Sequence, residues 1–212
     1  LYKLKKEVVE YAVLIENMIS EAMQGLLQKD PVLLEKVIKV QEARANEKEL
    51  EIDEHCTTLI AQFQPKAKDL RTALMILGMN KDLERMGDHA VNIAQSAQYL
   101  IERPQIKPFN DLPRMGTIVS EMLKTVIDVF INEDSQLCQK VCERDDEVDD
   151  LRTKVVRDLV SYMSNDATTI ERALHISRIS SNLERIADLT TNIAEEVMYI
   201  TEGRVMKHHH EG

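Results

Sequence analysis

Four pairs of carboxylates stand at a spacing that a helix would stack: Glu49/Asp53, Glu84/Asp88, Asp145/Asp149 and Glu184/Asp188. Residues four apart lie one turn above each other, with about 5–6 Å between Cβ atoms. Two like charges there repel, so the spacing gains only if something positive lies between them. A hard divalent or trivalent cation is such a group, because carboxylate oxygens suit it. A single pair says little in a chain with 37 acidic residues. Its ordinary reading is a solvated helix face with exposed ion pairs.

The pairs gain meaning from repetition. Leu83-Glu84-Arg85-Met86-Gly87-Asp88 recurs as Leu183-Glu184-Arg185-Ile186-Ala187-Asp188, and Asn92-Ile93-Ala94 as Asn192-Ile193-Ala194. Both keep an offset of one hundred, as do Leu74/Leu174, Ile76/Ile176 and Tyr99/Tyr199. Glu49-Leu50-Glu51-Ile52-Asp53 aligns with Asp145-Asp146-Glu147-Val148-Asp149 at an offset of ninety-six. The chain therefore reads as a duplication. On this alignment one pair of each half lies on its second helix and one on its third, so four carboxylates per half can converge. At 100° per residue, Glu84 and Asp88 continue the stripe of Leu70, Leu74 and Leu77, and Glu184 and Asp188 that of Ile170 and Leu174. The second-helix pairs flank the apolar faces of their helices. Carboxylates bordering a core need a partner, since a partly buried charge is costly. Arg85 and Arg185 are the alternative to a metal. Gly87 and Ala187 admit a close neighbour, and Asn92 and Asn192 stand one turn on, where they can orient the carboxylates or cap the surface.

These positions need long helices to hold them. Gly and Pro number only six and five, aromatics make up 4%, and helix-forming residues dominate. Asp30-Pro31, Gln64-Pro65, Asn132-Glu133-Asp134 and Ser164-Asn165-Asp166 are boundaries. Between them the apolar period predicts helices over about 3–28, 31–63, 66–102, 112–132, 134–163 and 166–201. In the second, Leu34, Ile38, Gln41, Ala45, Ile52, Cys56, Leu59 and Phe63 share a stripe; in the fifth, Leu137, Val141, Val148, Leu151, Val155 and Leu159 do. The stretch from Arg103 to Pro113 holds three prolines and reads as a linker. The expected fold is all-α, two tandem three-helix bundles over 1–103 and 104–212.

The net charge of −10 argues against nucleic acid as a partner. No apolar run approaches the ~20 residues of a membrane span, and the first residues lack a signal core, so a cytoplasmic protein is expected, reaching membranes only through partners. Cys56, Cys138 and Cys142 read as reduced, mostly packed thiols rather than as a metal site. His55, His89 and His175 do not repeat, and the run His208 to His210 lies beyond the repeat. No nucleophile–base arrangement or phosphate loop occurs, so an enzyme is not expected. Long helices with apolar flanks suit a homodimer.

The motif from Leu83 to Asp88 with Asn92-Ile93, its copy from Leu183 to Ile193, the Val148-Asp149 turn and the ending Glu202-Gly203-Arg204-Val205 together resemble the PhoU family. The resemblance covers essentially the whole chain. It implies a negative regulator of phosphate uptake and of the phosphate-starvation response, linking the ATPase subunit of the phosphate ABC transporter to a sensor histidine kinase. It also implies multinuclear metal clusters, iron foremost, with zinc or nickel as alternatives, held by the eight carboxylates named above. Two small departures stand out: Ala187 where the pattern has Gly, and Glu49 where the other half has Asp145. From the residues alone, a metal-free scaffold docking basic surfaces and a carboxylate-bridged metalloenzyme remain as other readings.

Overall fold

The structure, a computed structural model, describes the backbone of residues 1–132 and 135–202, and side chains up to 132 and from 137 to 198. The histidine run, most of the Glu202–Val205 ending and the cap at Glu133-Asp134 lie outside the described residues. Every element described is helical: α1 Tyr2–Gln28, α2 Pro31–Lys36, a π-turn Val37–Gln41, α3 Glu42–Phe63, α4 Lys68–Ile101, α5 Asp111–Asn132, α6 Ser135–Asn165, a 3₁₀ turn Ala167–Thr169, and α7 Ile170–Glu202.

The boundaries follow from local chemistry. Asp30 caps α2, its carboxylate accepting from Val32 N (2.9 Å) and Leu33 N (3.3 Å) with Pro31 in the first turn. Asp166 accepts from Thr168 N at 2.9 Å and starts the turn into α7. The third helix begins at Lys68 rather than 66, because Pro65 and a positive φ at Ala67 (48°) keep the backbone out of the helix. The sequence predicts one unbroken second helix. The structure instead puts a π-turn into it, which accommodates one extra residue.

Each half packs three helical rods, with α1, α2–α3 and α4 forming the first and α5, α6 and α7 the second. The two tandem bundles also pack on each other: α4 lies along α7 and α1 along α5, and the buried residues form one continuous cluster. α4 and α7 run antiparallel. Gly78 lies against the Glu196 carboxylate, His89 Nδ1 meets Asn182 Oδ1 at 2.8 Å, and Tyr99 stacks on His175 with centroids 3.9 Å apart. The middle of this contact falls on the duplicated motifs. The Pro-rich linker is fastened to the second half: Arg172 donates to Pro104 O (2.8 Å) and Lys107 pairs with Asp158 (2.7 Å). Among the described residues no helix is long and apolar enough to cross a membrane.

Two stripes read from the sequence are corrected. Phe63 is 74% exposed, because it ends α3 just before the left-handed turn at Gln64. Leu74 (53%), Ile170 (41%) and Leu174 (52%) are exposed as well. The stripe that Glu84 and Glu184 continue is thus an outward flank, and the core face lies beside it at Leu83/Met86 and Leu183/Ile186.

Candidate cation-binding faces

The helix ends give the true register between the halves. α1 ends at Gln28 and α5 at Asn132; α2 starts at Pro31 and α6 at Ser135. That offset of 104 holds through the buried pair Val37/Val141. After the π-turn the buried pairs are Ala45/Val148, Ile52/Val155 and Cys56/Leu159, an offset of 103. The alignment at ninety-six is therefore displaced by about two turns. Gln41 corresponds to Asp145, Asn46 to Asp149, Glu49 to Arg152 and Asp53 to Val156. Acidic runs misled the alignment because charge patterns on exposed helix faces slide easily, whereas buried apolar positions do not.

In the first half α3 and α4 are antiparallel, with Asn80 Nδ2 donating to Glu49 O (2.9 Å) and Cys56 Sγ near Ala73 O (4.0 Å). Continuing the same step puts Glu84 level with Ala45, Asp88 with Gln41, and Asp53 with Ile76. Glu49, Glu84 and Asp88 form one electrostatic group. Burial, then Asp88, then Glu49 push the Glu84 carboxyl above its usual value, against a small opposing pull from Arg85. The same three carboxylates act electrostatically on a residue the sequence reading missed. Tyr11 of α1 is fully buried, its hydroxyl has no hydrogen-bond partner, and burial followed by Glu84, Glu49 and Asp88 drives the phenol far up. Asp53 does not join this group. It is exposed and acts instead on Cys56, whose thiol is pushed up to about 11 by burial first and Asp53 second.

In the second half Arg152 Nε meets Ser181 Oγ at 3.5 Å, and Cys138 Sγ reaches Ala194 O at 3.4 Å. By the same step Asp149 is level with Glu184 and Asp145 with Asp188. Burial and Asp188 push the Glu184 carboxyl up; Arg152 pulls it down and Asp149 up again. All four predicted carboxylates therefore lie along one face, with Arg152 at its end. Among the described residues no three Asp, Glu, His or Cys side chains converge closely enough to hold an ion by themselves. Like charges spread apart when only water lies between them.

Arg85 is exposed and its nearest acid is Asp82 (3.8 Å) rather than the motif carboxylates across the interface. At the α4–α7 crossing, Arg85, Asp88, His89 and Asn92 face Arg185, Asp188, Leu189 and Asn192 across a shared groove. Asn92 and Asn192 are exposed there. His55 pairs with Glu7 (2.9 Å), and none of the three cysteines is in a disulfide. Two missed residues had signals. Gln41 is a polar side chain on an apolar stripe, and it is buried with Oε1 lacking a partner. Tyr11 is one of few aromatics in the chain and lies on the apolar stripe of α1.

The comparisons with known proteins agree with this two-part plan. A family profile, the PhoU domain, matches residues 8–97 and again 112–197. The chain is 39% identical over 206 residues to the phosphate-specific transport system accessory protein PhoU homolog of Aquifex aeolicus, covering 97% of this chain and 93% of that protein. It is 32% identical over 207 residues to the PhoU homolog 2 of Thermotoga maritima, covering 98% and 88%. The crystal structure of PhoU from Pseudomonas aeruginosa superposes with a TM-score of 0.92 at 32% identity, covering 96% of this chain and 98% of that one. A PhoU structure from Streptococcus pneumoniae, 24% identical with 97% of each chain covered, shares the fold with a TM-score of 0.88. With both halves matched and relatives above 30% identity aligned over nearly their whole length, the chain belongs to the PhoU family.

Proposed function

We propose that this chain is a non-catalytic accessory regulator of phosphate-specific transport, a cytoplasmic adaptor whose acidic faces take up hard cations. Its relatives are named as accessory proteins of phosphate-specific transport systems. The observation that carries the cation reading is a buried phenol that nothing satisfies, Tyr11, within the electrostatic reach of Glu49, Glu84 and Asp88. A positive ion there would offset the burial that chiefly raises Glu84 and the repulsion from Asp88 and Glu49 that adds to it. The holding residues would be Glu49, Glu84 and Asp88 in the first half and Asp145, Asp149, Glu184 and Asp188 in the second. Each face spreads its carboxylates over more than one turn, wider than a single ion's shell, which suits the multinuclear cluster, iron foremost with zinc or nickel as alternatives, that the family resemblance implies. Two such faces on one continuous core suit a body that joins the transporter's ATPase subunit to a sensor histidine kinase, alone or as a homodimer.

Metal analysis of protein purified without chelator tests this. Wild type is expected to carry metal, and Asp88→Asn with Asp188→Asn to lose most of it; equal content in both would sink the assignment. The absence of a ready three-ligand cluster among the described residues favours a second reading, a metal-free scaffold docking basic surfaces. Partner binding that weakens steeply with salt and ignores chelators would select it.

A further inference from the structure

We propose that the cation face of the first half has a mixed donor set, in which the Tyr11 phenol and the Gln41 carboxamide oxygen join Glu49, Glu84 and Asp88. The inference rests on the cation reading above and goes beyond it by naming two neutral oxygen donors that the acidic repeat does not contain.

Three observations converge. Tyr11 is 0% exposed, its hydroxyl has no partner, and the three charges acting on it are those of Glu84, Glu49 and Asp88. An unpaired buried hydroxyl is costly, so a native chain keeps one where something else satisfies it. Gln41 is 6% exposed, its Oε1 is also without a partner, and the antiparallel step set by the Asn80–Glu49 hydrogen bond runs toward the Asp88 level at this end of α3. Gln41 closes the π-turn, which packs on α1 and α4, the helices that carry Tyr11 and the Glu84/Asp88 pair. Such single-turn π-bulges concentrate at functional sites, because the extra residue re-aims a side chain. The second half has no π-turn at this place. It carries Met115 where Tyr11 stands and Asp145 where Gln41 stands. Its donors are then carboxylates alone. Hard cations accept carboxylate, carbonyl and hydroxyl oxygens alike, so both sets suit the same class of ion.

Terbium(III), a hard oxygen-seeking ion whose emission is sensitised by a tyrosine close to it, is the probe. The chain has five tyrosines and no tryptophan, so a sensitised signal reports tyrosine contact. Wild type is expected to bind terbium with strong sensitised emission. Tyr11→Phe, which removes only the hydroxyl from a packed site, should lose most of the emission and weaken the first-half affinity about tenfold. Gln41→Met, of similar volume, should weaken affinity by a similar factor, while Met115→Leu should change neither. Calorimetry alongside separates the two claims. Binding by wild type that persists at full affinity in both Tyr11→Phe and Gln41→Met overturns the mixed donor set and leaves the carboxylate reading standing. No binding by wild type overturns both.

Discussion

The two halves reach similar charge by different residues. Leaving aside Arg85 and Arg185, which repeat, the first face has three carboxylates, Glu49, Glu84 and Asp88, beside the amides Gln41 and Asn46. The second has four, Asp145, Asp149, Glu184 and Asp188, with the guanidinium of Arg152 where the first has Glu49. Each face nets three negative charges. What differs is where the charge comes from: one face is short of positive charge at its end, and the other carries its own. Duplication has preserved the third-helix acids and let the second-helix side diverge. A motif that repeats perfectly in sequence can thus stand in two different electrostatic environments.

Swapping the end residues should have the largest effect. Glu49→Arg gives the first face the second's guanidinium, and is expected to weaken cation uptake by that half at least about 100-fold, because at an effective dielectric near 20 even one unit of charge changed about 6 Å from a unit charge costs ~2.8 kcal/mol. Arg152→Gln should act in the opposite sense on the second half, tightening uptake. Isothermal titration of the two variants reads both; equal affinities would mean that the end residues do not distinguish the faces.

Next comes the interface between the halves, where the repeat breaks again. Gly78 and Glu196 face each other, while the corresponding positions hold Arg178 and Ser96. Burial, then Asp82, raise the Glu196 carboxyl to about 7. A raised carboxyl makes folding favourable at low pH and less so as pH climbs through about 7. Glu196→Gln should therefore stabilise the protein at pH 8 by ~1–2 kcal/mol, discounted for partial solvent screening, and have little effect at pH 4. Thermal melts at the two pH values decide it; the same shift at both would show that charge is not the cause.

The smallest effect is expected inside the motif itself. A Cβ on Gly87 would meet Ile15 Cδ1 at 3.2 Å, a flexible methyl end, and the second half already carries Ala187 there. Gly87→Ala should change stability by less than about 1 kcal/mol, since helix propensity gained offsets the tight contact. A urea midpoint moved by more would mean that the first half packs α1 more tightly than the second packs α5.

Much of this was legible beforehand. Six helical rods, the caps at Asp30 and Asp166 and the duplication follow from apolar period and punctuation. These are local signals, written within a few residues of where they act. The pairing of Glu84 with Asp88 and of Glu184 with Asp188 is local too, one turn apart on a single helix. Which residues stand across from them is not local. It depended on the register between α3 and α4 and between α6 and α7, set by buried residues such as Ala45/Val148 and shifted by one at a π-turn that no spacing rule announced. That register removed Asp53 from its group and put Arg152 in the place of Glu49. Tertiary packing also set the two bundles against each other, because apolar flanks of α1 and α4 find their partners on α5 and α7. The sequence by itself determined which helices form and which acids they stack. Tertiary packing alone decided what faces those acids, since contacts between helices are chosen by the fit of whole apolar surfaces rather than by the spacing of any motif.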